Sequence, residues 1–276
     1  MLRYVLSAGA VAALASSVFA GIHADSVVSY TPGAISATYQ TPSAALGELS
    51  PTMNFAGSYQ DGDGNTVNFL DDSILTPFNA AYNPDQIVGI GAGGALTLHL
   101  SETAATNGKT LGVHTASGLI DLAWPSGQNL PQAANYTDPR VAEVRVAKVL
   151  GNWVSLGVIN FENPSNYYSQ GITNPGSDST AGTALADFSQ PFLGKLADFD
   201  NQDWNGTLDV LNGSAGGQWL DLSGTGLDGV NYVQFVVAPG ASDLMYVDAV
   251  SAVAVPEPAS LAMLVVPMLL MKRRRA

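Results

Sequence analysis

Leu96-Thr97-Leu98-His99-Leu100-Ser101 sets a leucine at every second position with a polar residue between each pair. In an extended chain successive side chains point to opposite faces, so this period of two puts three leucines on one face and Thr97, His99 and Ser101 on the other. A helix would scatter them. The pattern returns twice near the far end of the chain, in Tyr232-Val233-Gln234-Phe235-Val236-Val237 and in Leu244-Met245-Tyr246-Val247-Asp248-Ala249-Val250-Ser251. Three such segments decide for a β protein with at least one sheet buried on one face.

Working outward, short strands are predicted at 27–30, 35–39, 65–70, 87–90, 111–115, 141–149, 153–158, 207–211 and 218–222. Turn signals separate them, among them Gly93-Gly94, Asn107-Gly108, Gly151-Asn152, Asn174-Pro175-Gly176 and Asn212-Gly213. Charge spacing over 138–150 would also allow an amphipathic helix, but its valines favour a strand. The stretch 160–199 lacks alternation and reads as an extended loop region with a helical turn. Many short strands with frequent turns predict one all-β, antiparallel β-sandwich of jelly-roll type with long loops, spanning residues 25–253.

Composition narrows the class. The chain has 276 residues, no Cys, 29 Gly and 15 Pro, and only 12% of its residues are charged, about half the usual share. Disulfides, thiolate metal sites and Cys nucleophiles are excluded. Four of the ten cations crowd the last five residues and Arg3 lies at the start. Residues 21–258 therefore carry five cations against all 23 acids, a formal charge of −18. A nucleic-acid partner is excluded on that ground, because phosphate backbones need cationic surfaces.

Both ends fall outside the predicted sandwich. Residues 1–20 combine an early cation, Arg3, the apolar run Val5 to Leu14, and Ser16-Ser17-Val18-Phe19-Ala20. This is the pattern of a secretory signal peptide helix, cut after Ala20 or alternatively after Ala24. A retained anchor is disfavoured because the run is shorter than the ~20 residues a bilayer requires. At the other end, Pro256-Glu257-Pro258 precedes the 13-residue apolar run Ala259 to Met271 and the cluster Lys272-Arg273-Arg274-Arg275. Such a run gives only ~20 Å of helix, short of the ~30 Å hydrocarbon core, and Pro267 interrupts its hydrogen bonding. It predicts a short, temporary anchor whose basic tail stays on the cytoplasmic side.

The order of these three parts at the extreme C-terminus, over 255–276, resembles the PEP-CTERM sorting signal of exported bacterial proteins. The departures are slight: Ala259 stands where Ser or Thr is frequent, and Pro267 lies within the apolar segment. The resemblance implies export through the secretion translocon, transient anchoring in the inner membrane, and processing by an exosortase near Pro256, Glu257 and Pro258. Lys272, Arg273, Arg274 and Arg275 would act as the membrane-retention tail. It also implies a cell-surface or matrix destination in bacteria that make extracellular polysaccharide.

A second, weaker resemblance covers about residues 40–253. Ala142-Glu143-Val144-Arg145-Val146 followed by Gly151-Asn152-Trp153-Val154-Ser155-Leu156-Gly157, together with Gly89 to Leu100, Val230 to Phe235 and Tyr246 to Val250, is similar to discoidin-like, galactose-binding-like jelly rolls. It implies an eight-stranded sandwich of the carbohydrate-binding type and names no ligand.

Candidate chemistry is sparse. Gly89-Ile90-Gly91-Ala92-Gly93-Gly94 satisfies G-x-G-x-x-G, but a dinucleotide site needs a helix after it and a strand follows instead, so a glycine-rich hairpin is predicted. Asp61, Asp63 and Asn65 alternate like the start of a calcium loop with Asp72 in the closing position, yet Thr66 stands where the turn needs Gly. Asp198, Asp200 and Asp203 form a second acidic cluster. Ca2+ is the only cofactor these residues suggest. Trp124, Trp153, Trp204, Tyr167 and Tyr168 could stack on sugar rings, with Trp153, in its alternating strand, expected in the core and Trp204, set among Asp203, Asn205 and Gly206, expected to be the exposed one. G-x-S-x-G and H-E-x-x-H are absent, and His99 reads as a surface strand residue rather than a base. A non-enzymatic, exported surface protein associated with polysaccharide is the expectation. The alternatives are a purely structural acidic surface protein and a secreted glycan-active enzyme, which would need only two suitably spaced carboxylates.

Overall fold

The computed structural model describes residues 21–49, 52–60, 64–129, 140–176, 182–242 and 244–255, with backbone alone for 52–59 and 67–73. The signal-peptide and sorting-signal segments, including Pro256, Glu257, Pro258 and Lys272 to Arg275, lie outside the described residues, as do Asp61 and Asp63.

The chain is an antiparallel all-β sandwich. Its strands are β1 (Ile22–Thr31), β2 (Thr52–Gln60), β3 (Thr66–Ile74), β4 (Val88–Ile90), β5 (Ala95–Ala104), β6 (Lys109–Thr115), β7 (Val141–Ala147), β8 (Val154–Asn160), β9 (Tyr168–Gln170), β10 (Ala184–Leu185), β11 (Gln218–Asp221), β12 (Val230–Val236) and β13 (Met245–Ala252). One curled sheet runs β11-β6-β13-β1-β5-β12-β7-β8, with β4 also on β13. It folds over at β1. Ile22 and His23 pair with β13, whereas Ala24 to Thr31 pair with β5. The first layer is therefore β11, β6, β13 and β4, and the second is β5, β12, β7 and β8, with β1 as the seam.

The alternating residues do what their period requires. Leu96, Leu98 and Leu100 face Phe235, Val233, Val144 and Val146 within the second layer and Val113, Val247 and Val250 of the first, all buried in one core. Their polar neighbours face outward in register across the second layer: Tyr232 lies opposite His99, and Gln234 opposite both Thr97 and Arg145. The strand at 141–149 forms as β7, not as a helix.

A second core lies on the other side of the first layer. Trp219, Ala249 and Ala116 pack there against Ile74, Phe78, Leu119, Tyr167, Tyr168, Phe192, Phe199, Trp204 and Leu211. The loop-rich stretch 160–199, with β9, β10 and a 3-10 turn at Leu196–Phe199, together with helix α1 (Trp204–Leu211), forms this covering layer. One face of the sandwich is thus capped, and the outer face of β5, β12 and β7 is left polar.

Three predicted elements differ, and one forms with an unpredicted partner. The strand expected at 35–39 is a 3-10 turn, Ala37–Tyr39, capped by the Ser36 hydroxyl accepting from Thr38 N. The strand expected at 207–211 is part of α1, because the Asp203 carboxylate caps it at Gly206 N and spacing 204, 207, 211 places Trp204, Thr207 and Leu211 on one buried face. The strand ending at 74 pairs with the unpredicted β2 in a separate two-stranded ribbon. The Gly-rich segment after β4 is a turn but not a hairpin: β4 pairs with β13 and β5 with β1 and β12, so the turn carries the chain from one layer to the other. Glycine is required there by close approach. Gly91 N donates to Pro32 O at 2.7 Å, Ala34 N to Ala92 O at 3.1 Å and Val237 N to Gly94 O at 3.0 Å. A Cβ on Gly91 would overlap the Ala34 carbonyl, and one on Gly94 would sit 2.6 Å from Pro32 O.

Candidate functional site

The aromatic residues singled out from sequence separate into buried and presented ones. Trp204 is only 8% exposed and belongs to the second core, which corrects the expectation that it projects into solvent. Its neighbours Asp203 and Asn205-Gly206 mark a helix N-terminus rather than an exposed loop. Tyr167 and Tyr168 are also buried, with ring centroids 5.1 Å apart and Tyr167 a further 5.0 Å from Phe188. Burial raises both phenol pKa values. Trp153 is half-buried just before β8, an edge strand, and not in the core.

Trp124 is the exception: 62% of it is exposed. It projects from a turn whose geometry is over-determined by one carboxylate. Asp121 Oδ1 accepts from Ala123 N at 2.9 Å and Gln128 N at 2.8 Å, and its Oδ2 accepts from Gly127 N at 2.9 Å. Leu122 N donates to Gln128 O at 2.7 Å and the Ser126 hydroxyl to Ala123 O at 2.7 Å. The Gln128 side chain and Asn129 N tie the turn to Asn201 O and Gln202 O, at 3.1 and 2.9 Å. Beneath the indole, Gly176 N donates to Pro125 O at 3.0 Å. A Cβ on Gly176 would lie 2.7 Å from Cε3 and Cζ3 of Trp124, so only glycine lets the ring seat there.

Beside this turn runs an open groove of ≈ 330 Å³, lined by Phe78, Asn79, Tyr82, Leu119, Asp121 and Trp124 among others. Phe78 and Leu119 belong to the second core, so the groove floor is continuous with packed interior. Tyr82 forms the opposite wall, 39% exposed, with its carbonyl held by the Tyr39 hydroxyl at 3.2 Å. Tyr39 packs edge-on against Tyr246, over which the Arg140 guanidinium lies at 4.5 Å. Two presented aromatic side chains over an apolar floor can stack on the C–H face of a pyranose, and the Asn79 amide, whose Nδ2 already donates to Ile74 O at 2.8 Å, leaves its oxygen as an acceptor for a hydroxyl.

The acidic candidates are placed otherwise. Asp198 Oδ2 accepts from Lys195 N at 2.9 Å and Asp203 Oδ1 from Gly206 N at 2.8 Å, so both cap helical turns, and Asp200 ends the first of these turns. Asn65 is exposed just before β3. Among the described residues no group of three or more His, Asp or Glu is placed to hold a metal ion.

On the free outer face, His99 Nδ1 lies 2.8 Å from Asp25 Oδ1 and its ring 5.0 Å from that of Tyr232. The hydrogen bond from His99 holds the Asp25 carboxyl below its usual pKa. Arg145 Nη2 meets Glu143 Oε2 at 2.6 Å and the Ser155 hydroxyl donates to Glu143 Oε1 at 2.8 Å. Two further ionisable groups are fully buried. His114, with Nε2 3.0 Å from Ser251 Oγ, is lowered by burial, and then by His23, to about 3. Asp248, 4% exposed, is pushed well above the usual carboxyl range by burial.

No protein-family model matches this chain, and no curated protein is similar to it in sequence. Among the described residues no helix is long and apolar enough to cross a membrane.

Proposed function

We propose that this chain is an exported, non-enzymatic cell-surface or matrix protein, delivered by an exosortase-type route, that associates with extracellular polysaccharide through the Trp124 groove. The observation that carries the binding half is the presentation of Trp124. A large indole held 62% exposed by a turn with a fully committed carboxylate gives up apolar burial worth ~1.5–3 kcal/mol for a side chain of this kind. That arrangement suits a preorganised stacking platform.

The delivery half rests on the tripartite tail and on β1. A cut after Ala20 leaves β1 whole, whereas a cut after Ala24 would remove Ile22 and Ala24, both fully buried. Binding is tested on a glycan array with the wild-type protein and Trp124→Ala: binding that depends on Trp124 supports the proposal, and no binding by the wild type favours the structural alternative, in which the −18 acidic surface is itself the function. Delivery is tested by replacing Pro256, Glu257 and Pro258 with Ala. An unprocessed, membrane-held form is expected; normal release would contradict the route.

A further inference from the structure

We infer that the Trp124 groove selects glycan segments carrying no carboxylate or sulfate, an inference that rests on the binding proposal above. The groove contains a carboxylate, Asp121, and no Lys or Arg among its lining residues. Three backbone N–H donors fix that carboxylate in place at 2.8–2.9 Å, so it cannot swing away from an approaching anion. The five cations of residues 21–258 lie elsewhere. Arg140 is buried over Tyr246, Arg145 is bound to Glu143 and Lys148 to Asp228 at 2.8 Å. Lys109 reaches Leu193 O at 3.5 Å, and Lys195 begins the 3-10 turn on the loop layer. An anionic chain would therefore meet a like charge at the groove rim and a strongly negative protein around it. Neutral pyranose chains meet the same stacking surface without that penalty. Like charges within contact range cost about tenfold or more in affinity at low ionic strength, and less as salt screens them.

The test uses the full chain in EDTA, so that no divalent cation bridges the charges. Neutral glucan, mannan and galactan oligosaccharides are compared with oligogalacturonate and dextran sulfate by tryptophan fluorescence and titration calorimetry, with Trp124→Ala as the control for the site. Neutral chains should bind at least tenfold more tightly at low salt, with the gap closing as salt rises. Ile120→Lys, at a half-buried groove position, should raise oligogalacturonate affinity about tenfold while circular dichroism shows the fold intact. Trp124-dependent binding of the acidic chains as tight as the neutral ones would overturn the selectivity and leave the groove a glycan site. Binding of neither class would overturn the binding proposal and this inference together.

Discussion

Replacing Asp248 with Asn should stabilise the protein, and more so as pH rises. The side chain stands where β13 shifts register against β6, between Val247 and Ala249. It lines a cavity of ≈ 10 Å³ with Ser165 and Asn166, whose Oγ and Oδ1 are buried without partners. Burial alone raises its pKa. Above about pH 4 the unfolded chain loses this proton while the folded protein keeps it, so stability falls by about 1.4 kcal/mol per pH unit until the folded-state pKa is reached. Below about pH 4 both states are protonated and the contribution is complete. Asn carries no such proton, and its amide can donate to Asn166 Oδ1 or Ser165 Oγ. Between about pH 6 and pH 8 the variant should gain up to about 2.7 kcal/mol on the wild type, or about 5–11 °C in Tm, while the folded carboxyl holds its proton. His114 works in the opposite sense. With a folded pKa of about 3 against about 6.5 unfolded, its contribution is complete above about pH 6.5 and is lost as pH falls through that window. The two slopes oppose each other in mildly acidic solution, so the wild-type profile alone is ambiguous and the difference from the variant is the quantity to measure. Urea unfolding of both proteins across this range reads it directly; parallel stability curves would refute the buried, protonated carboxyl.

Trp204→Ala should cost about 3–5 kcal/mol in urea unfolding and leave glycan binding unchanged at temperatures where the variant is folded. Gly91→Ala should cost about 1–3 kcal/mol or more, because the Ala34 carbonyl it would overlap is backbone, and Ala34 is tied through its N–H to Ala92 O. Asp121→Ala leaves three N–H groups without their acceptor and should cost about 1.5–3 kcal/mol, with red-shifted tryptophan emission as the Trp124 turn loosens. Mass spectrometry of the mature N-terminus should find Gly21; a start at Asp25 would mean that β1 tolerates losing its buried first turn of pairing.

The sandwich was legible because its strands are half-buried: Leu96 to Ser101 and Val233 to Val237 advertise two faces by period alone. Elements of the loop layer that caps the first layer were harder. Within 207–211, Leu208 and Val210 flank Asp209 at a strand-like spacing, and only the Asp203 cap with the 204, 207, 211 series reveals the helix. The Gly89 to Gly94 turn showed its glycines but not how the strands on either side of it pair, since partners as far apart in sequence as Ile90 and Met245, or Ala95 and Val236, leave no local mark. The site was legible in type and not in place. Trp124 stood among the candidate aromatics, but its exposure depends on the local turn that Asp121 holds and on Gly127 and Gly176, whose roles are set by contacts with residues distant in sequence. Asp121-x-Ala123 with Gly127-Gln128 was the available signal: an Asx turn followed by a positive-φ glycine (Gly127, φ +77°) around an aromatic.

The two cores explain why exposure, rather than residue type, marks the candidate site. The first layer is buried on both faces, His114, Asp248 and Ser251 included, and the loops over its outer face supply a core of their own. Tyr167, Tyr168, Phe192, Phe199 and Trp204 are consumed in doing so. A loop aromatic in this chain is therefore a packing residue unless something withholds it from that core. Trp124 is withheld by hydrogen bonds that Asp121 makes to the backbone, none of which buries the indole. It follows that Trp124 and Trp204 should answer opposite assays: truncating Trp204 removes stability and spares the proposed ligand surface, while truncating Trp124 spares stability and removes that surface. Equal destabilisation by the two substitutions would place Trp124 in the loop core and leave the groove without its platform.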